Sequence, residues 1–168
     1  MRKLQILFTR PREFKLGSWI ISKWINRPYS HVAFSWIDDQ NREIVWQAAH
    51  GCVHTILMSN FIKENEIVNS VYLDMTNAQY QHLRDFCYYY SGYVYSFTGL
   101  FHVVAYDVSK KFGIPIIPEN SKGFICSELC SLGLLQVFGY ALFKASHLMK
   151  PDDIFKLLIN EGVVWNNG

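Results

Sequence analysis

The sequence predicts an α+β fold, an antiparallel sheet packed against helices, on three observations. Residues 31–37 and 43–49 are β-branched and aromatic runs separated by an Asp/Asn-rich turn, the pattern of a β-hairpin. Stretches 14–25, 78–87 and 100–112 instead read as helices, the first two from apolar residues at helical spacing. Gly123-Phe124-Ile125-Cys126-Ser127-Glu128 then opens a stripe, Leu129, Leu132, Leu134, Leu135, Val137 and Phe138, that reads as a buried helix stopped at Gly139. At 168 residues the chain is long enough for a substantial core and is read as one domain, residues 1–168.

Taken in order, Leu4 to Phe8 reads as a short first strand, with Pro11 interrupting it. Leu16, Trp19, Ile20 and Trp24 carry the helix over 14–25. Arg27-Pro28 ends it, because the residue before a proline is pushed out of the α region. His31–Ile37 and Glu43–Ala49 form the hairpin around Asp38-Asp39-Gln40-Asn41, and residues 53–58 supply a third strand. Asn69–Met75 is a further strand, after which Thr76-Asn77 caps the helix through Cys87. Ser91-Gly92 is a helix stop and residues 92–99 are a loop. The run Ile114–Lys122, with its prolines, lets no helix continue. Pro151-Asp152-Asp153 marks a helix start that leads into residues 154–159, and Val163–Trp165 closes a sheet edge.

Composition excludes several classes of function. Half the residues are hydrophobic and 16% aromatic, which suits a packed globule and not a disordered chain. A net charge of +2 gives no case for nucleic acid as a partner. No run of eighteen apolar residues is present, so no transmembrane segment is expected. No charged start leads into an apolar core of a signal peptide. A cytoplasmic location is therefore expected, with phage encoding or another export route left open. The four cysteines, Cys52, Cys87, Cys126 and Cys130, lack C-x-x-C spacing. Free thiols are expected, although an even count permits two disulfides. The cluster His50-Gly51-Cys52-Val53-His54 has no second ligand pair, and no phosphate-binding loop appears, so neither metal nor cofactor is expected.

The residues that carry chemistry are Cys126 and His31. Cys126 sits in the first turn of its helix, where free N–H groups and the helix dipole favour a thiolate. A cysteine with a pKa near ~8.5 needs that help at neutral pH. The plainer reading makes Cys126 a small core residue. Along the strand, His31 shares a face with Ala33 and Ser35. Cross-strand partners in the hairpin have residue numbers of constant sum, here 78 or 80. The first sets Gln47 opposite His31 and the second sets it one diagonal step away. Either sum leaves Gln47 on the His31 face and His50 on the other. Gln47 is thus the expected orienting partner, while plainer readings make His31 a solvated edge residue and Gln47 a half-exposed strand residue.

Four local patterns together resemble the circularly permuted NlpC-type papain-like amidases and peptidases, the YiiX-like group. They are Ser30-His31-Val32-Ala33-Phe34, Val45-Trp46-Gln47-Ala48, Gly92-Tyr93-Val94-Tyr95 and Phe124-Ile125-Cys126-Ser127-Glu128-Leu129, in the order histidine before cysteine. Pro151-Asp152-Asp153 matches the family's closing P-D-D. Two positions depart from the pattern. Gln47 stands where the family has a carboxylate, and Val94 where it has a proline. A glutamine can orient an imidazole but stabilises its cation less than an anion would.

The resemblance implies a papain-like fold and a cysteine hydrolase acting through a thioester. Cys126 would be the nucleophile, His31 the base, Gln47 the orienting group, and Tyr95 a group beside the oxyanion; Tyr95 also reads as simple packing. The implied substrates are a peptide, a peptidoglycan-derived peptide or, as in the lecithin–retinol acyltransferase branch, an acyl lipid. The aromatic residues Trp19, Trp24 and Tyr29 with the basic N-terminal segment suit a lipid surface and equally suit a core. A catalytically inactive papain-fold binding module is the remaining alternative, hinted at by Gln47.

Overall fold

The computed structural model describes residues 2–113, 123–142, 144–162 and 165–166. The proposed break at Ile114–Lys122 lies outside them, as do Val163 and Val164 of the expected closing strand. Among the described residues six strands form one antiparallel sheet: β1 (Arg2–Pro11), β2 (His31–Ile37), β3 (Glu43–Ala49), β4 (Cys52–Leu57), β5 (Asn65–Met75) and β6 (Trp165–Asn166). Their spatial order is β4-β3-β2-β1-β5-β6. The helices are α1 (Leu16–Ile25), α2 (Met58–Glu64), α3 (Asn77–Tyr90), α4 (Phe97–Phe112), α5 (Cys126–Phe138) and α6 (Pro151–Asn160). The α+β class and the antiparallel sheet packed against helices, with the cysteine-bearing helix among them, are as expected.

Strand alternation divides the core. Val32, Phe34 and Trp36 of β2 join Leu4, Ile6 and Phe8 of β1, Trp46 of β3 and Val71 of β5 on one face. There they bury Leu129, Cys130, Leu134 and Val137 of α5. Each such large side chain contributes about 1.5–3 kcal/mol on leaving water. The other face is smaller: Leu7, Ala33 and Val45 pack with Met58 and Phe61 of α2. Gly133 sets how close α5 comes. A Cβ there would lie 2.6 Å from Cε2 of Phe34, so a larger residue would force the Phe34 ring or the helix to shift.

Local signals explain most element ends. Thr76 and Gln79 make a reciprocal capping box at the start of α3. Asn26, at φ 53°, ends α1 in the left-handed conformation that asparagine tolerates, just before Arg27-Pro28. The carboxylate of Asp153 accepts the Lys150 N–H at 2.9 Å and starts α6 at Pro151, earlier than residue 154. Asp152 accepts from Arg27 at 2.6 Å and from the Tyr29 hydroxyl at 3.3 Å. The P-D-D segment therefore ties α6 to the chain that enters β2. No helix among the described residues is long and apolar enough to cross a membrane.

Candidate active site

Cys126 is the first residue of α5 and is buried. Its place is set by contacts on either side. The Phe124 N–H donates to the Val94 carbonyl at 3.0 Å and the Ser96 N–H to the Phe124 carbonyl at 2.9 Å. Gly123 crosses this strip so closely that a Cβ would collide with the carbonyl of Val94. After the cysteine, the Ser127 hydroxyl donates to the Met149 carbonyl at 2.6 Å. Glu128 turns back to accept the Ile125 N–H. The helix start is thus held at both ends before any chemistry is considered.

The β2–β3 register settles the hairpin sum at 80, since Phe34 pairs with Trp46 and Ile37 with Glu43. The ladder ends at Phe34. Two residues back, the Val32 N–H hydrogen-bonds the Cys126 sulfur, joined by the N–H groups of Ser127 and of Cys126 itself. The sulfur therefore meets the backbone of the residue that follows His31. By alternation the imidazole belongs with Ala33 on the α2 face, while the sulfur arrives from the α5 face. The β2–β3 ladder has already ended at Phe34, so β3 does not pair with β2 at residues 31 and 32.

His31, Gln47 and His54 form a hydrogen-bonded line across three strands. Nδ1–H of His54 donates to the Cys52 carbonyl at 3.1 Å, because a carbonyl can only accept. Its Nε2 then accepts the Gln47 amide N–H at 3.3 Å. That orients the Gln47 oxygen toward His31, whose Nε2–H donates to it at 2.9 Å. The line leaves Nδ1 of His31 unprotonated, with no hydrogen-bond partner among the described residues. Gln47 is buried, and each half of its amide has a partner. It lies on the diagonal from His31 that the sum of 80 allows.

The electrostatics differ from the expected thiolate. Burial pushes the Cys126 thiol up, and the three N–H groups only partly offset it. Burial pushes the His31 ring down to about 4, against the Gln47 hydrogen bond and helped by the charge of Lys15. Both directions favour the neutral forms, a thiol at Cys126 and an imidazole at His31. The correction has a physical cause: the helix start supplies N–H groups, but the sulfur sits in packed protein and Gln47 brings no negative charge. Glu128, also partly buried, is raised to about 7.

Tyr95 lies in the same neighbourhood. It forms a bridge with Phe124, its N–H donates to the Gly51 carbonyl at 2.9 Å, and its phenol is raised by burial and by the charge of Cys126. Tyr95, Cys126, Ser30, Ile21, Trp24 and Met149 line a narrow cavity of about 10 Å³, room for about one water. An acyl group reaches the sulfur through this side only if the wall moves.

Of the four residues expected in the site, Cys126 and Tyr95 meet at that cavity, and His31 and Gln47 meet in the hydrogen-bonded line across the strands. His54 is the member that sequence reasoning did not place. His50, weighed with it as a metal ligand, instead pairs with Glu64 at 3.1 Å. No cluster able to hold a metal occurs among the described residues. No protein-family model matches the chain, and no curated protein matches it either.

Proposed function

We propose that this protein is a cysteine hydrolase of the permuted NlpC-type papain-like class, cleaving an amide, isopeptide or ester bond through a thioester on Cys126. The observation that carries the reading is the line Cys52–His54–Gln47–His31, which leaves an unprotonated Nδ1 on the residue that precedes Val32, whose N–H holds the Cys126 sulfur.

Because both groups rest neutral, proton transfer accompanies attack. The sulfur bonds to the substrate carbonyl carbon as its proton passes to Nδ1 of His31. The oxyanion meets the N–H groups at the start of α5, which have no carbonyl partner within the helix and rest on the Cys126 sulfur until attack. Collapse breaks the bond to the leaving amine or alcohol, which takes the proton from Nδ1. A water, giving its proton to the same nitrogen, then cleaves the thioester and restores the thiol. Gln47 holds the ring for each transfer but stabilises the passing imidazolium less than a carboxylate would.

Labelling the protein with an electrophilic probe and mapping the modified peptide tests the assignment. Cys126 is expected to carry the label, and Cys126→Ala to abolish turnover of a cleavable substrate while the protein stays folded. Labelling confined to Cys52, Cys87 or Cys130 would rule the reading out. An acyl-lipid substrate is the second reading, favoured by the exposure of α1.

A further inference from the structure

The helix α1 is apolar on both sides, and only one side is covered. Ile25 is buried and Ile21 and Trp24 line the cavity at Cys126. On the opposite side Leu16, Trp19 and Ile20 are 61%, 50% and 45% exposed, and Phe14 just before the helix is 77% exposed. Positions 16, 19, 20 and 23 fall on one helical face, so three large apolar residues and Lys23 form a continuous ridge. A water-facing helix would carry polar residues there. Such a cluster on a protein surface marks a contact site.

Charge identifies the kind of partner. Between Arg10 and Pro28 there are five cations, Arg10, Arg12, Lys15, Lys23 and Arg27, and one carboxylate, Glu13. Arg10 is paired with Glu66 and Arg27 with Asp152. Arg12, Lys15 and Lys23 have no ion pair among the described residues, and all three border the groove that Trp19 and Phe14 line. Exposed Trp, Phe and Leu flanked by unpaired Lys and Arg suit the headgroup boundary of an anionic bilayer, where rings and aliphatic chains enter and cations meet phosphate.

We infer that α1, with Phe14 and Lys15 before it, is a docking surface for an anionic membrane. Its outer ridge (Leu16, Trp19, Ile20) enters the lipid boundary and Arg12, Lys15 and Lys23 bind the headgroups. A membrane held there lies against the helix whose inner residues wall the Cys126 cavity. Lys15, on the same rim, already acts on His31. The docking surface does not rest on the sulfur chemistry, and its test needs no turnover.

The test is flotation of the full chain with phosphatidylcholine vesicles made with or without phosphatidylserine. Flotation is expected with the anionic vesicles, reduced by high salt, and about tenfold weaker without phosphatidylserine. Lys15→Glu with Lys23→Glu is expected to weaken it by about tenfold or more. Leu16→Ser with Trp19→Ser and Ile20→Ser is expected to abolish it while the far-ultraviolet circular dichroism is kept. Because these side chains are exposed, folding should survive. The inference is overturned if the wild-type chain stays at the bottom of the gradient with both vesicles, or if the triple variant floats like the wild type. It is equally overturned if Trp19 instead buries in a dimer seen by sedimentation and no flotation occurs. Cys126→Ala should float like the wild type, so loss of the catalytic reading leaves this result standing.

Discussion

The Nε2 atom of His31 lies 2.9 Å from the amide oxygen of Gln47. Burial holds the imidazole well below its ordinary pKa, and the neutral amide, which adds no negative charge, offsets that only in part through its hydrogen bond. In the proposed mechanism Cys126 and His31 therefore act as a general-base pair, in contrast to a preformed thiolate–imidazolium.

Gln47→Glu should convert one kind of pair into the other. A carboxylate beside the ring favours imidazolium and raises its pKa from about 4. The acid limb of the Cys126 labelling rate should move toward neutrality by at least about one unit. A pH profile of labelling for both proteins measures this. An unmoved limb would mean that residue 47 does not govern the ring.

In the proposed mechanism His54 is a positioning residue, since it reaches His31 through Gln47. Without its Nε2 acceptor, the Gln47 amide loses its reason to present oxygen to His31. His54→Ala should slow labelling of Cys126 and also change the His31 tautomer seen in nitrogen-15 spectra. Wild-type His31 should show a proton on Nε2 alone. A variant that slows labelling but keeps that tautomer would make His54 merely structural.

Glu128 should show itself in stability against pH. Its folded carboxyl is raised from 4.5 to about 7, so the folded state holds a proton that the unfolded state has lost across that window. Its contribution to stability is present below about pH 4.5 and is lost as pH rises through about 7. Glu128→Gln can still accept the Ile125 N–H. It should match the wild type near pH 4.5 and exceed it at pH 8 by about 1–2 kcal/mol, after discounting for solvent screening. Urea titrations at the two pH values decide it. His31 changes both proteins alike and cancels in the difference.

Gly123→Ala should destabilise by about 1–3 kcal/mol, because its Cβ meets the backbone of Val94 and no rotamer change relieves the contact. A urea midpoint no lower than that of the wild type would contradict the close approach of these two strips.

How much of this was legible in the sequence differs by element. β2 and β3 were readable to the residue, because β-branched and aromatic runs end at a turn whose Asp38 side chain accepts two backbone N–H groups at 2.9 Å. The shared face of His31 and Gln47 followed from parity. α2 was not readable: in seven residues only Met58 and Phe61 are buried, too short a pattern to declare a period. β5 begins at Asn65 and not Asn69, since β1 pairs with it as far as Pro11, a tertiary effect on polar residues.

The place of His54 had a signal that was passed over. His50 and Gly51 both have positive φ, 50° and 90°, as a two-residue hairpin turn requires. Reading His50-Gly51 as that turn sets Ala49 against Cys52 and hence Gln47 against His54, which is the observed register. The raised thiol had no such signal, because burial is decided by what α5 packs against.

The most direct test of the central claim is the rate at which p-nitrophenyl acetate acylates Cys126, compared between wild type and His31→Ala, with the acylated peptide mapped. If residues 126 and 31 work as one reacting pair, acylation maps to Cys126 and falls on the order of a hundred- to ten-thousandfold in the variant. Equal rates in the two proteins, or acylation at another cysteine, would contradict it.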